Sequence, residues 1–124
     1  IALPSFWNQA NRARAAEAEL FLGNWLRSQQ ASYVENGDFS DAETGNIDSG
    51  LTNYSIEVVD FSNHQTENGT NVSGLRIRAL PNQDSLKQFM GKIWYDPDKQ
   101  DLGTVICKSE GTNAFMRSKT YCPD

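Results

Sequence analysis

Two rhythms of apolar residues divide the chain. Over residues 4 to 34, Ala18, Leu22, Trp25, Gln29 and Tyr33 step by four, three, four and four positions, with Leu26 beside them. That spacing lays them along one stripe of an α-helix, and the stripe requires a sheet to cover it. The intervening positions are rich in Ala, Arg, Glu, Gln and Leu, all good helix formers, with Gly23 the single glycine and no proline after Pro4. Glu35-Asn36-Gly37-Asp38 supplies the stop, Asn36 or Gly37 being suited to a left-handed cap. Residues 38 to 50 follow no period and are rich in Asp, Gly, Ser, Thr and Asn, the composition of a loop.

From residue 51 the period becomes two. In "YSIEVVDF" Tyr54, Ile56, Val58 and Asp60 alternate with Ser55, Glu57, Val59 and Phe61, which predicts a strand over 51 to 61 with apolar groups on both faces. "NHQTENGTN", residues 63 to 71, reads as the turn after it. "VSGLRIRAL" sets Leu75, Ile77 and Ala79 against Arg76 and Arg78, the pattern of a half-buried strand. Pro81-Asn82-Gln83-Asp84 turns the chain again, "LKQFMGKIWYD" makes a third strand, "DPDKQD" its turn and "LGTVICK" a fourth. One helix followed by strands with short polar connections predicts an α+β fold, with a long N-terminal helix packed on a four-stranded antiparallel sheet. At 124 residues the chain matches one domain, divided into helix (1–35), loop (36–50), sheet (51–107) and a polar C-terminal segment (107–122).

Charge sharpens this picture. Residues 36 to 74 hold seven acidic groups and no lysine or arginine, within an overall net charge of -5. Such a middle third repels phosphate backbones, so direct binding of nucleic acid by the isolated domain is not expected. It reads either as a solubilising face or as a surface for charge-complementary packing between copies. The first residue is Ile rather than Met and no complete signal peptide follows it, so the chain is expected to be processed or trimmed.

Candidate chemistry is thin. Cys107 and Cys122 lack the partners of a zinc site in a chain with one histidine, and they form no C-x-x-C motif. A disulfide in an oxidising compartment is the economical reading, with two buried free thiols as the alternative. Closing that loop would contribute roughly 3 kcal/mol. His64, flanked by Asn63, Gln65 and Glu67, reads as a solvent-exposed turn histidine, because a base or metal ligand needs oriented partners. "DPDKQD", from Asp96 to Asp101, offers hard oxygens for calcium but lacks the glycine and final glutamate of an EF-hand, and an Asp-Pro turn explains it better. The carboxylates Asp38, Asp41, Glu43 and Asp48 are equally unspecific. Trp94, Tyr95, Phe115 and Tyr121 read as sheet or disulfide-loop packing ahead of an adhesive aromatic surface. No catalytic residue, metal or cofactor is expected, and a small hydrolase is the weakest reading because no nucleophile is paired with a base.

The helix is longer than its domain. Thirty helical residues span about 45 Å against a body of about 35 Å, so one end must overhang. The stripe starts near Ala18, which leaves Ile1, Leu3, Phe6 and Trp7 on the overhang, an apolar cluster of the size that marks an interaction site.

"IALPSFWNQANRARAAEAE" followed by "LRSQQASYVENGDF" resembles the region after the membrane segment of type IV pilins, especially the cyanobacterial branch. There "A-x-A-L-P-x-F-x-x-Q-A-x-x-A" leads into a helix carrying "R-x-Q-Q-A-x-Y-x-E-x-G-x-F". Two separated blocks match in register over about the first 39 residues. The resemblance implies a soluble fragment of a structural subunit that lacks the hydrophobic half of its N-terminal helix, with Cys107 and Cys122 as the family's C-terminal disulfide. It implies that Ile1, Leu3, Pro4, Phe6 and Trp7 lie at the edge of a filament core, with Pro4 loosening the helix during assembly. The implied partners are other copies and related pilins, the inner membrane through the absent helix before assembly, and the pilus assembly machinery. The implied location is an extracellular pilus. A type II secretion pseudopilin and a secreted ligand-binding domain are the alternatives.

Overall fold

The computed structural model describes residues 3–40, 42–83, 85–109 and 119–122, without the side chains of residues 3–8 and 109. Helix α1 (Leu3–Asn36) is followed by strands β1 (Gly45–Ile47), β2 (Tyr54–Gln65), β3 (Asn71–Pro81), β4 (Gln88–Asp96) and β5 (Asp101–Ser109). Every strand pairs antiparallel with its chain neighbour, giving the order β1-β2-β3-β4-β5. α1 stops where expected: Gly37, at φ 78°, donates its N–H to the Tyr33 carbonyl at 2.7 Å. The left-handed conformation that ends the helix carries no steric penalty at a residue without Cβ.

One face of the sheet carries the main core. Ala18, Leu22 and Leu26 of α1 pack on Ile56 and Val58 of β2, Leu75, Ile77 and Ala79 of β3, and Phe89 and Ile93 of β4. Trp25 joins at the margin, while Gln29 and Tyr33 are half-buried. Helix and sheet approach closely because Gly91 of β4 presents no side chain: a Cβ there would lie 3.2 Å from both Leu26 Cδ1 and Ile77 Cγ2. The opposite face is also covered. Phe61, Val72 and Trp94 form one buried patch there, Met90 and Cys107 a second, and Val105 packs against both.

The architecture departs from expectation in two places. The sheet has five strands rather than four, because residues 45 to 47 of the expected loop leave it and pair with Val58 to Ile56. Three residues cannot display a period of two; β1 exists because β2 offers an unpaired edge to the chain running back past it. The first predicted strand also continues beyond Phe61. A bulge between Phe61 and His64, with Asn63 at φ 57°, shifts the register, and pairing resumes at His64↔Val72 and Gln65↔Asn71. The turn therefore shrinks to residues 66 to 70, closed by Thr66 N–H to Thr70 O and Gly69 N–H to Thr66 O, both 2.9 Å.

Candidate functional site

His64 is not an exposed turn residue. It sits half-buried on β2, its ring stacked on Phe61 at 4.4 Å and its Nδ1 2.8 Å from Lys92 Nζ. Lys92, fully buried on β4, also donates to the Lys119 carbonyl at 2.8 Å and lies 5.2 Å over the Phe61 ring. The strand's bulge carries the histidine here, a placement that no short-range pattern announces. Burial, with Lys92 and Arg76 nearby, pushes the His64 pKa down to about 4. Burial, then Arg76, pushes Lys92 down to about 8. A neutral imidazole is what this geometry needs, since only its lone pair can accept from an ammonium.

The cluster's work is mechanical. Lys119 forms a parallel bridge with Gln65, its Nζ donates to Gln65 Oε1 at 2.7 Å, and Thr120 N–H donates to Gln65 O at 3.0 Å. Three residues beyond Lys119, Cys122 is disulfide-bonded to Cys107 on β5, with the two Cα atoms 5.5 Å apart. The C-terminal segment is thus fastened to β2 by hydrogen bonds, to β4 by a buried cation and to β5 by a covalent bond.

The remaining candidates resolve into structural roles. Asp96 Oδ1 accepts the Asp98 N–H at 2.9 Å, and Asp98 Oδ2 accepts from the Thr70 hydroxyl, so these carboxylates organise the Asp-Pro turn. Asp38 Oδ1 accepts from Ser40 Oγ at 2.7 Å and from Ser40 N–H at 3.2 Å, bonds that hold its carboxyl below the usual range. Asp48 Oδ1 accepts the Gly50 N–H at 3.3 Å, Glu43 is exposed, and Asp41 lies outside the described residues. Among the described residues no three His, Cys, Asp or Glu side chains gather to hold a metal ion. Trp94 is buried against Gly103, Tyr95 is exposed and stacks on Tyr33 at 6.1 Å, and Tyr121 is half-buried. Phe115 lies outside the described residues.

The expected assembly residues are placed by backbone alone. α1 is helical from Leu3, and Pro4 lies in its first turn, where the missing N–H removes no intrahelical bond. Ile1 and the side chains of Leu3, Pro4, Phe6 and Trp7 lie outside the described parts of the chain. Among the described residues, the first on α1 to join the core is Ala15. Its backbone runs about 18 Å from Leu3 to Ala15. No described helix is long and apolar enough to cross a membrane.

No curated protein and no solved structure gives a significant match to this chain. A family model does match, over residues 15–123, which takes in the sheet-facing part of α1, all five strands and both cysteines. With the helix on an antiparallel sheet and the disulfide-fastened C-terminal segment in place, the chain belongs to the type IV pilin-like G and H family.

Proposed function

We propose that this chain is a structural subunit, a major or minor pilin, of a type IV pilus used for surface adhesion, twitching motility or DNA uptake. The observation that carries the reading is α1, helical from Leu3 although among the described side chains its core contacts begin at Ala15. Described residues 9–14 join no hydrophobic core cluster, and so short a stretch of helix is marginal in water by itself. Packing against neighbouring subunits supplies the missing burial. Ile1, Leu3, Pro4, Phe6 and Trp7 are the residues assigned to that contact. An apolar segment upstream would hold the subunit in the inner membrane before the assembly machinery transfers it to the pilus. The Cys107–Cys122 disulfide favours a pilin over a pseudopilin, since it fastens the C-terminal segment covalently where a pseudopilin would use bound calcium.

The test is genetic and direct. Deleting the gene should remove or alter surface filaments seen by electron microscopy, and antibody against residues 36–50 should decorate filaments of the parent strain along their length or at their tips. Unchanged filaments with no decoration would refute the proposal. A Phe6→Ser/Trp7→Ser chain should be produced normally yet stay out of filaments; normal incorporation would remove these two residues from the contact.

A further inference from the structure

The molecule sorts its charge by end. Near the N-terminal half of α1, a groove of about 550 Å³ runs between the helix, the β3–β4 connection and β5. Ala15, Ala16 and Leu86 contribute apolar surface, and Arg12, Lys87 and Lys108 outnumber the single carboxylate, Glu19, in its described lining. The strand register places Lys108 there, opposite Phe89.

The far end of α1 is acidic. Glu35 stands in its last turn and Asp38 just beyond. Ser40 and Asp60 line one shallow cavity, which brings the middle of β2 beside the loop, and the Tyr33–Tyr95 stack brings in the turn that carries Asp98 and Lys99. Glu35, Asp38, Asp60 and Asp98 are all exposed. The last turn of α1 contains no basic residue, so Glu35 adds negative charge where the helix macrodipole already disfavours it. A cation from another molecule would relieve this local conflict.

We propose that the acidic end of one copy docks into the basic groove of the next. Twenty-three residues separate Arg12 from Glu35 on one helix, about 35 Å, so the two surfaces cannot meet within a molecule. An antiparallel two-fold pair would use both patches and close, whereas a head-to-tail contact leaves one of each unused in every pair. It therefore repeats, and where the rotation does not close it builds an open helical polymer. A nucleic acid suits the groove less well: Glu19 lines it, and the rest of the chain carries net negative charge. The proposal rests on the filament reading and names the surfaces through which the globular parts would meet.

Two double reversals test it in the 124-residue chain: Glu35→Lys/Asp38→Lys at the acidic end and Arg12→Glu/Lys108→Glu at the groove. All four sites are exposed, and circular dichroism should confirm that both variants fold. At low ionic strength, sedimentation should show salt-sensitive self-association of the parent chain. Each variant alone should associate about tenfold more weakly, and an equimolar mixture should regain the loss because reversed meets reversed. Carbodiimide cross-linking of isolated filaments should join Lys87 or Lys108 to Glu35 or Asp38 of a neighbour. Association indifferent to both reversals, or a mixture no better than its components, overturns the docking. Filaments that contain the chain but cross-link through other residues overturn it while the pilin reading stands. Absence of the chain from any filament overturns both.

Discussion

Acid should loosen this fold through one residue. His64 accepts a hydrogen bond from Lys92 Nζ at 2.8 Å, with Arg76 on β3 as the second nearby cation and Phe61 stacked on the ring. Above pH 6.5 the imidazole is neutral in both folded and unfolded chains, and the full stability is present. As pH falls, the unfolded chain takes the proton at its ordinary 6.5 while the folded chain resists until about 4, so stability drains away through that window. A gap of that size corresponds to roughly 3 kcal/mol, and on the order of 2 kcal/mol for a ring that keeps some contact with water. The assay is urea unfolding from pH 7.5 to 4 on the parent chain and on His64→Asn, which keeps an acceptor near Nδ1 but cannot titrate. Carboxylates contribute equally to both, so the stability difference should shift by that amount in favour of the variant as pH falls. In Lys92→Met the His64 pKa, followed by NMR, should move back towards 6.5. A difference that stays flat with pH, or a folded imidazole titrating near 6.5, would refute the argument.

Three further outcomes follow from packing. Leu22→Ala empties a fully buried site between α1 and the sheet and should cost about 3 kcal/mol in urea unfolding, while Leu20→Ala, at 61% exposure, should cost under about 0.5 kcal/mol. Gly74→Ala places a Cβ against the Ile93 carbonyl, backbone that cannot swing aside, and should cost about 3 kcal/mol or abolish folding, measured as soluble yield and thermal midpoint. Cys107→Ser/Cys122→Ser releases a loop with a sequence separation of 15 and should lower stability by about 3 kcal/mol; the parent chain should lose a similar amount on reduction.

Local pattern carried most of the fold because most of it is local. A helix-period stripe over Ala18, Leu22 and Leu26 could be read from spacing, and the same residues form the buried face of α1. Alternation in β3 likewise marked Leu75, Ile77 and Ala79 as the inward set. Between strands, each neighbour in sequence became a neighbour in space, the arrangement that short polar turns favour. β1 is not legible in the sequence because three residues at an edge have no period of their own. The full length of β2 is hidden in the sequence because its bulge breaks the alternation where Ser62, Asn63 and His64 look like a turn.

The sequence by itself determined the helix and its cap, the class of fold, the acidic middle third and the two cysteines available for pairing. Those are properties of spacing, composition and backbone preference, set over a few residues at a time. Tertiary structure alone decided that β4 is buried on both faces, because α1 covers one and the returning C-terminal segment meets the other. That double cover makes Lys92 a buried anchor rather than an outward strand lysine, and makes His64 its acceptor rather than a solvated turn residue. It also decided that the acidic loop and the basic groove lie at opposite ends of one helix. Charge can be counted along a chain, but which charges face the same way depends on strands that pair across tens of residues.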